Sequence, residues 1–289
     1  MSKITPVLWE ILAEYLEEEP KNWLNEKESA PIKEVMTAFV AAPRHLPKKL
    51  VNPSEQQSAQ LSNLFEGFSV NNWTVVRLAR VWLLSLFDDT DQQNYVHTIQ
   101  TLFETAEMNE LVALYSALRV LSYPERWLAT ATDAVRSNIG VVLDAIALQN
   151  PYPAKYFPEG AWNQLIMKSI FNDKPVELIY GLEERRNAEL TRILIDFAHE
   201  RWAAGRHVPP GVWRLVIPFI NEELLSDLKK LFKSAREEDR QAAALVCYFS
   251  EFEPATELLE NYPLLKKEIE KGNLSWKNFE IGKLSSYVS

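Results

Sequence analysis

Val75-Val76-Arg77-Leu78-Ala79-Arg80-Val81-Trp82-Leu83-Leu84-Ser85-Leu86 is the stretch that decides the fold class. Wound as a helix, it places Val75, Val76, Leu78, Ala79, Trp82, Leu83 and Leu86 around most of its circumference. A helix apolar on so many sides must be packed on several of them, so it needs other helices around it. Asn72 stands just ahead as the expected N-cap.

Working outward, the chain supplies those neighbours. Ser54-Glu55-Gln56-Gln57 reads as a capping box opening a helix to about Glu66, which Gly67 closes. Asp91 is expected to cap Gln92 to Ala106, and Glu110 through Leu121 carries one apolar face. Pro124 starts a short helix, and Asp133 through Leu148 reads as a longer one. Toward the N-terminus, Val7 to Leu16 shows helical spacing, and Pro31 to Ala42 makes a short helix with Pro43 just past its end. Beyond residue 180 the expected helices are Glu183 to about Ala204, Asn221 to Ala235 and Glu237 to Ser250, with two short ones starting at Pro254 and Pro263. No stretch alternates with period two for long. The expectation is an all-α protein of antiparallel helix pairs, arranged as an irregular, HEAT-like α-solenoid or as a helical bundle. No fixed-period sequence repeat is present. The three prolines between Pro43 and Pro53 suggest a linker, giving an N-terminal helical hairpin over residues 1–50 and a main helical body over 54–289.

Composition agrees. Eight glycines are too few for a turn-rich sheet protein, whereas sixteen prolines suit many short helices punctuated at their ends. The net charge of −9 opposes wholesale binding to a polyanion, so no nucleic-acid partner is expected. An arginine face built from Arg185, Arg186, Arg192, Arg201 and Arg206 is the feature that argues the other way. The single cysteine, Cys247, sits in an apolar run and reads as a small core residue. Its being alone excludes an internal disulfide and a cysteine-based zinc cluster. The longest uncharged apolar run, Val81 to Phe87, falls far short of the roughly 20 residues a spanning helix needs. With no export signal at the N-terminus, a cytoplasmic protein without a transmembrane segment is expected.

Between Asn150 and Arg206 the composition changes: aromatic, amide, ionic and turn residues crowd together. In Asn150-Pro151-Tyr152-Pro153 each proline biases its predecessor away from the helical region, so an extended, stiff connection is expected, presenting Tyr152, Tyr156 and Phe157. On the following helix Trp162, Leu165, Ile166, Ser169 and Ile170 form a buried stripe, with Asn163, Gln164 and Lys168 off it. Further on, Glu189, Arg192, Asp196, His199 and Glu200 follow at steps of three and four as one ionic stripe. Asp196 and His199 could donate two ligands to a metal, but no third ligand has matching spacing, so a solvated ionic ladder is favoured and neither metal nor cofactor is expected. The candidate ligand-binding residues are therefore Asn150, Tyr152, Tyr156, Trp162, Asn163, Lys168, Glu184, Arg185, Arg192, Asp196, His199 and Arg206. No catalytic residue is assigned. There is no glycine-rich phosphate loop, nucleophile elbow, His-Glu-x-x-His or Cys-x-x-Cys, which leans against an enzyme.

These same residues carry a family resemblance. Asp144-Ala145-Ile146-Ala147, Asn150-Pro151-Tyr152-Pro153 with Tyr156-Phe157, and Ala161-Trp162-Asn163-Gln164 with Lys168 resemble the EboA family. So do Gly181-Leu182-Glu183-Glu184-Arg185 and Ala198-His199-Glu200-Arg201-Trp202-Ala203-Ala204-Gly205-Arg206. The resemblance is carried by residues 108 to 220. It implies a bacterial gene cluster that makes or exports a small secondary metabolite, with other cluster proteins or a pathway intermediate as partners, and it brings no catalytic residues. The expected function is a non-catalytic helical accessory or scaffold protein of such a cluster. The alternative is an enzyme or a metal-dependent small-molecule-binding protein of the same pathway.

Overall fold

The computed structural model describes residues 3–280. Among them the regular secondary structure is helical apart from one two-residue strand pair, Leu50–Val51 (β1) with Trp73–Thr74 (β2), and a single bridge between Leu148 and Ile179. The all-α expectation holds. The chain forms two compact units. One holds the chain through Leu165 with Leu178–Tyr180, and the other holds Ile166–Glu177 with the chain from Gly181 onward.

The first unit contains α1 (Thr5–Ala13), α2 (Glu18–Asn25), α3 (Ile32–His45), α4 (Glu55–Leu64), α5 (Val75–Leu84), α6 (Gln92–Thr105), α7 (Met108–Ala117), α8 (Leu128–Arg136), α9 (Gly140–Ala147) and α10 (Tyr152–Tyr156). It also holds the start of α11 (Glu159–Phe171), within which the chain passes to the second unit. α5 is central, packed against α1, α3 and α7, and α7 in turn packs on α9. Val75, Leu78, Ala79, Val81, Trp82 and Leu83 are fully buried. Each large apolar side chain buried this way contributes on the order of 1.5–3 kcal/mol before chain entropy is charged against it.

The apolar α5 also carries a cation inside. Arg80 is 3% exposed, yet its Nε donates to Phe39 O at 2.9 Å and its Nη2 meets Glu110 Oε1 at 3.2 Å. Burial lowers its pKa, and the Glu110 carboxylate opposes that shift. The Phe39 carbonyl is available because α3 does not stop before Pro43, as its spacing suggested, but continues through it to His45. A proline at 43 has no N–H to give the carbonyl four residues back, and Arg80 takes that place.

Other boundaries shift for equally local reasons. Asn72 does not cap α5. It takes a left-handed φ of 60°, its neighbours Trp73 and Thr74 pair with β1, and Thr74 Oγ1 accepts from Arg77 N at 3.1 Å. The residues between Pro43 and Pro53 are thus partly helix and partly strand. Asp133 to Leu148 is two helices, α8 and α9, broken where Ser137 Oγ accepts from Ile139 N at 3.1 Å. The capping box at Ser54 and the Asp91 cap stand as expected.

The second unit contains the end of α11, then α12 (Ala188–Ala203), α13 (Glu222–Phe232), α14 (Glu237–Phe249), α15 (Glu253–Glu260) and α16 (Pro263–Glu270), with 3-10 segments Pro210–Leu215 and Ile217–Phe219 between α12 and α13. α14 is its centre, packing against α13, α15, α16 and the Pro210–Leu215 segment, with Ala242 through Cys247 fully buried. α12 starts later than the sequence suggested. Residues 181 to 185 make a turn opened by Gly181 at φ 75°, and Asn187 Oδ1 caps the helix by accepting from Leu190 N at 2.8 Å.

Candidate functional site

In the first unit, the Asn150-Pro151-Tyr152-Pro153 stretch is not extended. Gln149 turns left-handed at φ 53°, and residues 152 to 156 form the short α10. Prolines at the first positions of a helix lose no hydrogen bond there, so Pro151 and Pro153 are compatible with the turn. The amide of Asn150 closes it. Its Oδ1 accepts from Tyr152 N at 3.0 Å, and its Nδ2 donates to Tyr115 O at 3.0 Å and Ala145 O at 2.9 Å. Asn150 thus ties α7, α9 and α10 together. Tyr152 is fully buried, its hydroxyl donates to Pro124 O at 2.6 Å, and burial pushes its pKa up. Tyr156 lies against it with ring centroids 4.8 Å apart and is half-buried. On α11, Trp162 is fully buried as its spacing implied, and Asn163 is buried too at 3% exposure.

In the second unit, Lys168 and Arg185 are half-buried, while Glu184 and Arg206 are exposed. The ionic stripe on α12 pairs off. Arg192 reaches both oxygens of Glu189 at 2.7 and 3.0 Å and Asp196 Oδ2 at 2.9 Å. The hydrogen bonds from Arg192 lower the Glu189 pKa, and Glu189 raises that of Arg192. His199 turns away from Asp196. Its Nε2 lies 2.9 Å from both carboxylate oxygens of Asp227 on α13, a residue almost wholly buried. Asp196 and His199 therefore do not converge, and among the described residues no three His, Cys, Asp or Glu side chains are gathered as a metal site.

None of the residues selected by sequence lines the cavity that this unit encloses. That cavity holds about 310 Å³, at the small end of ligand-binding sites. Ile170, Val176 and Val212 give it an apolar wall, and Trp276 and Phe279, with ring centroids 5.9 Å apart, give it an aromatic one. Charged groups stand around these walls. Arg214 is spent on Glu183 at 2.6 Å and on Glu280. Arg236 is held loosely, 3.6 Å from Glu238 and 3.9 Å from Asp239, with its side chain 43% exposed. A guanidinium so weakly engaged can turn to an acidic group on a ligand at little cost.

Sequence reading missed this cavity because its walls come from three separated segments, around 170–177, 207–214 and 236–280. Only the Pro209-Pro210-Gly211 turn marked it locally, as a stiff loop. Gly211 lines the cavity, and a Cβ there would meet no atom within 4 Å.

The sequence model of one family, metabolite traffic protein EboA, matches residues 4–217. No curated protein and no solved structure matches the chain. The family match takes in the whole of the first unit from α1 onward, the Asn150 tie, the α12 ionic stripe and the Pro210–Leu215 wall of the cavity, and so the chain belongs to the EboA family.

Proposed function

We propose that this protein is a non-catalytic helical accessory protein that holds a small, amphipathic metabolite in the cavity of its second unit. Its setting is the bacterial secondary-metabolite biosynthesis or export cluster that the family implies, it works in the cytoplasm, and it passes the compound to other proteins of that cluster. The observation that carries this reading is the pairing of an aromatic wall, Trp276 and Phe279, with the loosely held Arg236. An apolar or aromatic body fits the first, and a carboxylate or similar acidic group fits the second. The enzymatic alternative has less support, because Asp196 and His199 are each turned to a protein partner.

Protein purified from its native host, then denatured and extracted for mass spectrometry, tests this. Wild-type protein should release a defined small molecule in near-stoichiometric amount. Gly211→Phe, which adds bulk to the cavity without a clash at Cβ, and Arg236→Ala should each release far less. Equal release from all three proteins, or no compound from the wild type, would remove the cavity as the binding site.

A further inference from the structure

The aromatic wall of the second-unit cavity stands on a segment joined to the rest of that unit at few points. α16 ends where Gly272 turns left-handed at φ 75°. The amides of Asn273 and Leu274 then both donate to Glu268 O, at 2.9 and 3.1 Å, and the Leu274 side chain is buried. Leu274 is thus an anchor. Beyond it the chain starts a turn of its own. Ser275 N and Oγ both donate to Asn278 Oδ1, at 3.1 and 2.7 Å, and Asn278 Nδ2 donates back to Asn273 O at 2.9 Å. Residues 276 to 280 are helical. All of these bonds close within residues 273–280, so they survive a movement of the segment as a body.

Two kinds of contact hold the segment down. Trp276 and Phe279 line the cavity, and each is only half-buried, so protein atoms cover only part of each ring. Among the described residues, the one hydrogen bond or ion pair from residues 275–280 to anything before Asn273 joins Glu280 to Arg214 Nη1. Both side chains are sheltered, at 17 and 19% exposure, so this pair is worth more than a solvated surface pair. Arg214 has a second partner, its Nε donating to Glu183 Oε1 at 2.6 Å, and it stays in place and charge-paired when Glu280 withdraws. Local opening therefore costs one ion pair and the partial cover of two rings. That is far less than opening α14, whose residues 242–247 are fully buried. A molecule seated in the cavity would cover the rest of Trp276 and Phe279, a contact that exists only in the closed state and so favours it.

We propose that residues 275–280 are a lid on the cavity, hinged after Leu274 and latched by Glu280 on Arg214, and that latch and ligand together hold it shut. The inference rests on the cavity as the binding site for what the lid encloses, but the movement itself is tested without a ligand.

Hydrogen exchange read by mass spectrometry, on protein made in a host without the family's gene cluster, is the test. Amides of residues 276–280 should exchange more slowly than in the free peptide, yet many times faster than those of α14. Glu280→Gln should speed them about tenfold, the effect of exchanging a charge-assisted hydrogen bond for a neutral one, and leave α14 unchanged. Lys277→Gln, at an exposed lysine on the same segment, should change neither. Unaltered exchange at 276–280 in Glu280→Gln, an equal effect of Lys277→Gln, or acceleration shared by α14 would overturn the lid. Protein from the native host that carries its compound should exchange more slowly still at 276–280, and equal exchange with and without the compound would overturn the coupling to ligand. Native-host protein that yields no compound counts against the cavity reading alone, because the comparison of variants needs none.

Discussion

Asn150 shows how far a residue's function can be read from its neighbours in sequence. Flanked by two prolines and three tyrosine or phenylalanine rings, it invites the reading of a ligand loop. In the fold all of its amide is used on backbone: two carbonyls, Tyr115 O and Ala145 O, receive its Nδ2, and its Oδ1 receives Tyr152 N. Such a side chain is a tie between three helices. Asn150→Asp keeps the shape but points a carboxylate oxygen at two buried carbonyl oxygens. The expected cost is about 3 kcal/mol, from two acceptors left unpaired near an added charge, read as a lower urea midpoint at unchanged slope. A variant as stable as wild type would show that the amide is not the tie. Trp162 was legible, because helical spacing alone put it on the buried stripe and it is fully buried. His199 was not. Its partner Asp227 lies on another helix, and no spacing along α12 announces a contact 28 residues away.

At the scale of elements, the sequence was informative about where helices lie and less so about how they begin. The apolar circumference of α5, the Asp91 cap and the Ser54 capping box were readable because each is a local pattern. The start of α5 was not, because Asn72 and Thr74 are both good caps and a tertiary contact chose between them. Pairing of Trp73 with Val51 holds the chain extended through Thr74, which leaves Thr74 to accept from Arg77 N. Asn72, at φ 60°, serves the turn before it. Two substitutions separate these roles. Thr74→Ala should cost about 1 kcal/mol, the usual loss for an N-cap. Asn72→Gly should change stability by no more than about 0.5 kcal/mol, since glycine adopts a positive φ without strain. Thermal melts of the two variants give the comparison, and the reverse order would restore Asn72 as the cap. α10 and α12 follow the same logic: an asparagine side chain, at 150 or 187, fixes where the helix starts, and neither was separable by spacing from its polar neighbours.

For the whole molecule, the punctuation of the chain says little about where it divides. The chain passes from one compact unit to the other inside α11, a continuous helix with no proline and no change of composition at that point. What the sequence does foretell is the number of tyrosines and the lone thiol, and their burial gives the molecule a definite response to alkali. Burial raises the Cys247 pKa from 9.0 to about 12 and that of Tyr95 from 10.0 to about 12, and raises Tyr152 as well. Each group keeps its proton when folded at pH values where the unfolded chain has lost it. The unfolded state then binds fewer protons, and stability falls as pH rises, by about 1.4 kcal/mol per pH unit for each group inside its window. From about 9 to about 10 Cys247 acts by itself, and stability should already begin to fall. Above about 10 the buried tyrosines join Cys247, and stability should fall steeply toward about 12. Cys247→Ala removes that first falling contribution, so the variant's stability should stay nearly level between about 9 and 10 before the tyrosine-driven decline. Urea midpoints measured across that range for both proteins decide it, and parallel curves would mean that the thiol titrates alike in the folded and unfolded chains.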